Sequence, residues 1–173
     1  MNLELSPVTE LSDLQALRQP WHELAAADGG GLLRGPEWLL PWWHAYHQVL
    51  GARLHVLVGY ADGQLVCLAP FYERLGRGVP GVKVQEIRLL GDAGPRPPSL
   101  DLLVAPGYED QAGTAIAKYL SARTSDWDLI DLEPLKDPSR ARAAMVSWLA
   151  NAGHQIRSQE AAGGGRRIAL AVA

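Results

Sequence analysis

"RLHVLVGYADGQLVCLAPFY", residues 53 to 72, decides the fold. Two runs rich in Val, Leu and aromatic residues flank Ala61-Asp62-Gly63. An Asp-Gly pair tolerates the left-handed conformation that a tight two-residue turn demands, so the stretch predicts a β-hairpin. Upstream, "MNLELSPV" alternates Leu3 and Leu5 with polar residues and predicts a short first strand. Ser12 with Gln15 three residues on has the form of a capping box, and Leu14 and Leu17 give the helix it opens an apolar face. Pro20 breaks or restarts that helix, and Trp21 and Leu24 continue the face. Residues 28 to 31, "DGGG", are a flexible break, and Pro36 suits the first turn of the next helix. In that helix Trp38 and Trp42, Leu39 and Trp43, and Trp42 and Tyr46 stand four apart and share one broad apolar stripe. Pro41 inside it predicts a kink near Trp38.

Downstream of the hairpin, residues 74 to 81, "RLGRGVPG", read as an exposed basic loop. A strand, "VKVQEIRLL", follows, then a turn, "GDAGPRPPS", that Pro and Gly keep irregular. "LDLLV" reads as a short buried strand and residues 108 to 123 as a helix carrying Ile116, Tyr119 and Leu120 inward. "WDLIDLE" is a strand, residues 138 to 152 a helix, and "HQIRSQE" and "RRIALAV" two closing strands. The order β-α-α-β-β-β-α-β-α-β-β predicts an α/β (α+β) fold, a mixed sheet with helices on both faces. No internal repeat or low-complexity segment interrupts it, so residues 1–173 are expected to form one domain.

Composition narrows the function. Of 173 residues, 47% are hydrophobic and 20% charged, enough for a core, and the formal net charge of -3 gives no basic face for nucleic acid. One cysteine, Cys67, excludes an internal disulfide framework and a Cys-rich metal site. No apolar run approaches a membrane span, and "MNLELSPVTELSDL" lacks a basic then apolar leader, which predicts a cytoplasmic protein.

"PEWLLPWWHAY", "LHVLVGYADGQLVCLAPFY", "IRLLGDAGPRPPSLDLLVAPG" and "WDLIDLEPL", in that order, resemble successive segments of one bacterial group. This is the cellulose-biosynthesis type of acetyltransferase (CelD-like), related to the FemAB-like proteins that carry two GNAT-like domains in tandem. The resemblance runs from about Trp21 to the end and covers the N-terminal half of the family. It implies a GNAT-like domain in a system that passes an acyl group from acetyl-CoA or another acyl-CoA to an amine or hydroxyl acceptor. The acceptor is expected to be a small molecule, a polysaccharide or another envelope precursor. Transfer would be direct: a base deprotonates the acceptor, which attacks the thioester carbonyl while a backbone N–H polarises it. The resemblance also places the acyl-CoA site mainly in a C-terminal GNAT domain beyond Ala173. The partner is therefore expected to be that domain or, in its place, a second copy of this chain.

A GNAT cradle sets backbone N–H groups at a helix N-terminus around the CoA pyrophosphate. Its usual fingerprint is Gln or Arg, two residues, Gly, one residue, then Gly or Ala. Here "APGYEDQAG" offers only Gly107 before the first turn and puts Glu109 and Asp110 where phosphate would approach. Standard CoA binding is therefore not expected, and no residue is assigned to the cofactor. The candidate catalytic bases are Asp92, Asp101 and Asp128, with Asp126 and Asp131 near the last of these. Arg96 joins Asp92 and Asp101 around the Pro-rich turn, and Arg96 with Trp38, Trp42 and Trp43 are candidates for an acceptor or interface surface. The tryptophans equally suit packing of their helix on the sheet. His44 and His47 lack a third ligand at supporting spacing, so no metal is expected. Cys67, mid-strand between Val66 and Leu68, reads as a buried, inert thiol. The alternative to an acyltransferase half is a non-catalytic GNAT-like module for binding or dimerisation.

Overall fold

A computed structural model describes residues 3–29, 31–77, 82–94, 100–135, 139–160 and 166–171. The chain runs through β1 (Leu5–Val8), α1 (Leu11–Ala16), α2 (Arg18–Ala27), a 3-10 turn (Leu32–Arg34) and α3 (Pro36–Leu50). Next come β2 (Arg53–Leu54), β3 (Val56–Ala61), β4 (Gln64–Ala69), β5 (Phe71–Arg77), β6 (Lys83–Leu89) and β7 (Leu103–Val104). It closes with α4 (Glu109–Ser121), β8 (Leu129–Leu135), α5 (Arg140–Asn151), β9 (Gln155–Glu160) and β10 (Arg166–Ala171).

The hairpin of residues 53–72 is present, and its turn has Asp62 at φ 50 and Gly63 at φ 79. Both central residues are left-handed, the twist that matches two antiparallel strands. Each arm, however, is broken once. The first parts at His55 and the second at Pro70, whose nitrogen has no proton to give a ladder. The breaks divide the strands between two sheets. One has the order β1-β3-β4-β7 and the other β2-β5-β6-β8-β10-β9. Every described neighbour pair is antiparallel except β6 with β8, which makes the larger sheet mixed.

Consecutive residues of a strand point to opposite faces. Tyr72 and Glu73 on β5 therefore mark the two sides of the larger sheet. The Tyr72 ring meets Trp42 of α3 at 5.7 Å. Glu73 binds His55, whose ring meets Tyr119 of α4 at 5.7 Å. Helices α3 and α4 thus cover opposite faces, as the sequence predicts. The core includes Trp21, Phe71, Tyr72, Ile116, Trp127, Ile130 and Met145, all buried. Helix α4 lies close against α5: a Cβ added at Gly113 would sit 2.0 Å from the Ala141 carbonyl oxygen. No residue with a side chain fits there without moving the helices apart.

Three local expectations are corrected. The capping box at Ser12 does not form. Helix α1 starts two residues earlier, with Glu10 as its N-cap, and the Ser12 hydroxyl instead faces Asp13 at 3.5 Å. Leu11 packs against the core, which fixes that earlier start. The basic loop of residues 74–81 is strand as far as Arg77, paired through Arg77↔Lys83. Arg74 binds Glu86 at 2.8 Å across the pair, and Gly76 lies under the Glu86 side chain. Cross-strand ion pairing holds a segment whose own residues carry little strand propensity. The "LDLLV" strand is reduced to the two residues of β7, although Leu100 to Val104 are all buried. Residues 78–81 and 95–99 lie outside the described residues.

Candidate functional site

The junction of β5, β6 and β8 carries a row of charged residues. Tyr72 pairs with Arg88, and Arg88 pairs with Asp131, so the three side chains share one face across three strands. Arg88 donates from Nη1 to Asp131 Oδ2 at 2.7 Å and from Nε to Asp92 Oδ2. The Tyr72 hydroxyl donates to Asp92 Oδ1 at 2.8 Å. Glu86 and Glu133, one alternation away on the same face, stand 3.6 and 3.7 Å from the guanidinium. Asp92, Asp131 and Arg88 are all buried. Burial works against the charge of Arg88, but Asp92 and Asp131 outweigh it and raise its pKa. Burial, and then the Asp92 charge, push the Tyr72 phenol up, so Tyr72 remains a donor. Both oxygens of Asp92 are thus occupied by donors.

Asp101 belongs to a different group. Its Oδ1 accepts from the Leu102 N–H at 2.8 Å and its Oδ2 lies 3.8 Å from Arg142 of α5. Burial raises its pKa, against the pull of Arg142. A raised carboxylate pKa is what a general base needs. Asp101 lines a cavity of about 170 Å³ together with Asp28, Arg34, Glu109, Ser139 and Arg140. Asp28 and Arg34 form an ion pair at 2.6 Å. Asp128 joins neither group. It is exposed, and it clips β8 to β6: its carboxylate accepts from the Gln85 N–H at 2.8 Å and its own N–H donates to the Gln85 carbonyl at 2.9 Å. Asp126 is exposed beside Ser125.

Among the tryptophans, Trp42 and Trp43 are buried. Trp42 Nε1 donates to the Ala93 carbonyl at 2.7 Å and its ring stacks on Tyr46 at 5.5 Å, which fastens α3 to the turn after β6. The Trp43 ring is covered by His47 at 5.2 Å. Trp38 is half-buried, and its Nε1 has no hydrogen-bond partner among the described residues. Arg96 lies outside the described residues. Cys67 is fully buried, and burial pushes its thiol up to about 12. Among the described residues, no three or more His, Cys, Asp or Glu side chains are grouped to hold a metal ion, and no helix is long and apolar enough to cross a membrane.

The N-terminus of α4 is the place to test for a CoA cradle. The Gly107 N–H donates to Glu109 Oε2 at 2.9 Å, so the protein's own carboxylate takes the position of an incoming anion. Asp110 is held by Arg140 through two bonds of 2.9 and 2.6 Å. The cavity that Glu109 lines bears three carboxylates, Asp28, Asp101 and Glu109, while Gly107 and Tyr108 line another, of about 500 Å³. These residues do not fit a CoA pyrophosphate.

Tyr72, Arg88, Arg34 and Arg142 were not singled out from the sequence. A signal was present for the first two. Tyr72 and Arg74, Glu86 and Arg88, and Asp131 and Glu133 are each two apart on a strand, so each pair shares a face. Only the register shows that the three faces coincide.

Neither a family model nor a curated protein sequence matches the chain. Solved structures do. A tandem GNAT protein from the clavulanic acid biosynthesis pathway matches with a TM-score of 0.50 and 19% identity, over 90% of this chain and 45% of that one. A GNAT-family acetyltransferase from Staphylococcus aureus matches at 0.49 and 11%, over 98% and 99% of the two chains. An aminoglycoside N(6')-acetyltransferase from Legionella pneumophila matches at 0.49 and 10%, over 98% and 92%. The likeness to the tandem protein shows a GNAT fold, and this chain spans less than half of that protein's length.

Proposed function

We propose that this chain is the half of a tandem GNAT-type acyltransferase that does not hold acyl-CoA. The observation that carries the reading is the α4 N-terminus, where Glu109 already occupies the Gly107 N–H. A fold alone does not define an activity, because one scaffold hosts many sites. The acyl donor would be held by a C-terminal GNAT domain, and this half would help to receive an amine or hydroxyl acceptor, with a polysaccharide or envelope precursor as the class suggested by the cellulose-biosynthesis resemblance. Residues 1–173 would act as one domain in the cytoplasm. Asp101 is the candidate base best supported by its surroundings, since burial raises its pKa. Trp38, half-buried where Trp42 and Trp43 are buried, is the best candidate among these three tryptophans for the facing domain.

The second reading, a GNAT-like module that binds or dimerises without catalysis, shares the same observation. Calorimetric titration with acetyl-CoA tests what both have in common. No saturable heat at millimolar ligand is expected. Saturable binding at micromolar concentration would overturn both and make the chain an acyl-CoA enzyme in its own right. Sedimentation then separates the two readings: a stable dimer at micromolar concentration supports the module, a monomer the half-protein.

A further inference from the structure

The edge of the larger sheet at β2 holds another cluster, on the face opposite Arg88. Glu73 Oε1 lies 2.8 Å from His55 Nδ1, and Glu73 Oε2 accepts from Arg53 Nη2 at 2.9 Å. The hydrogen bond from His55 is the first cause that holds Glu73 below the usual carboxylate range. An ionised carboxylate only accepts, so His55 Nδ1 carries the proton and, in the neutral ring, Nε2 keeps its lone pair. His47 repeats the arrangement. Its Nδ1 lies 2.8 Å from the Trp43 carbonyl oxygen, which also only accepts, so its Nε2 is the second lone pair. Among the described residues neither Nε2 has a partner, and neither is sealed from solvent.

Both imidazoles line one cavity of about 560 Å³. The turn from β1 to α1 adds Thr9 and Glu10, and Trp43 supplies an aromatic wall. That volume lies within the range of small-molecule sites. The charge of Glu73 is matched by Arg53, and Glu10, exposed, also lines the cavity. What remains along the lining without a partner among the described residues is Nε2 of each imidazole, the hydroxyl of Thr9 and the carboxylate of Glu10. Hydroxyl groups complement such a set, because each of these groups can accept a hydrogen bond from one.

We propose that this cavity binds a neutral polyhydroxylated small molecule, a sugar or a polyol, whose hydroxyl groups donate to Nε2 of His55 and of His47. Glu73 is the positioning residue that fixes the His55 tautomer. The site stands independently of acyl-CoA, since no residue of it lines the cavity beside α4.

The test is a nitrogen-resolved NMR spectrum of the imidazoles of the full chain, titrated with D-glucose, D-galactose and myo-inositol. The expected result is a saturable shift of the His55 and His47 Nε2 signals with at least one of the three, while His22, His44 and His154 stay in place. Glu73→Gln, which keeps the shape but removes the charge that selects the tautomer, weakens that binding by roughly tenfold. His47→Phe keeps a ring on Trp43 and removes one acceptor, and it provides the same reading should Glu73→Gln fail to fold. No movement with any of the three probes, or a linear drift of all five histidines together, overturns the proposal.

Discussion

Tyr72 and Glu73 are neighbours on one strand, and their side chains enter two clusters of opposite design. On the Tyr72 face, Arg88 is enclosed by Asp92 and Asp131, and the hydrogen bonds close on one another. On the Glu73 face, His55 and Arg53 satisfy the carboxylate, but the imidazole keeps one nitrogen free beside a cavity. The first sets one guanidinium among carboxylates, and the second sets one carboxylate between an imidazole and a guanidinium. The sealed one fixes how β5, β6 and β8 lie together. The open one retains a group that can act on something else. A close-set ion network inside a fold is therefore weaker evidence for chemistry than a looser one with an unfilled valence.

The largest effect that separates them is expected from Arg88→Met. It leaves Asp92 and Asp131 buried without their cation and should cost about 3–5 kcal/mol. In a domain of this size that lowers Tm by on the order of 10 °C, read by circular dichroism. A loss no larger than that of an exposed arginine would show that the network is not sealed. Gly113→Ala tests the packing of α4 against α5 and should cost about 1–3 kcal/mol, since the Ala141 carbonyl must move. Full retention of Tm would contradict that close approach.

Smaller effects come from pH. Glu73 has a lowered folded pKa, so it contributes stability above its unfolded value of about 4.3 that is lost as pH falls through the folded pKa. Asp101 has a raised folded pKa, so its contribution has the other sign: stability is gained as pH falls through the folded pKa towards the unfolded value of about 3.9. Glu73→Gln should flatten the acid limb of the stability profile and Asp101→Asn should steepen it. Profiles that change in the same direction would refute one of the two assignments. The smallest effect is at Cys67, which should not react with a thiol reagent until the chain unfolds.

Much of the fold is legible in the sequence because its signals are local. Asp62-Gly63 between two apolar runs needs no tertiary information to read as a turn, and Pro36 marks the start of α3 in the same way. Strand β5 beyond Glu73 was missed because Gly76 and the flanking arginines break its period, and what holds it is the partner strand. The site divides similarly. Glu109 and Asp110 declare themselves at the start of α4, where one turn of helix sets their position. Asp92 and Asp101 are found by type and loop context, yet their partners are not, because Arg88 meets Asp131 only through a parallel pairing between segments 43 residues apart. His55 and Glu73 are brought together by antiparallel register alone, and neither carries a motif.

The most direct test follows the backbone amides of α4 during a titration with acetyl-CoA. If Glu109 fills the anion position, the amide signals of Gly107, Tyr108, Glu109 and Asp110 stay where they are at millimolar ligand. A saturable shift confined to those four amides would contradict the reading, and it would place an acyl-CoA site in this chain after all.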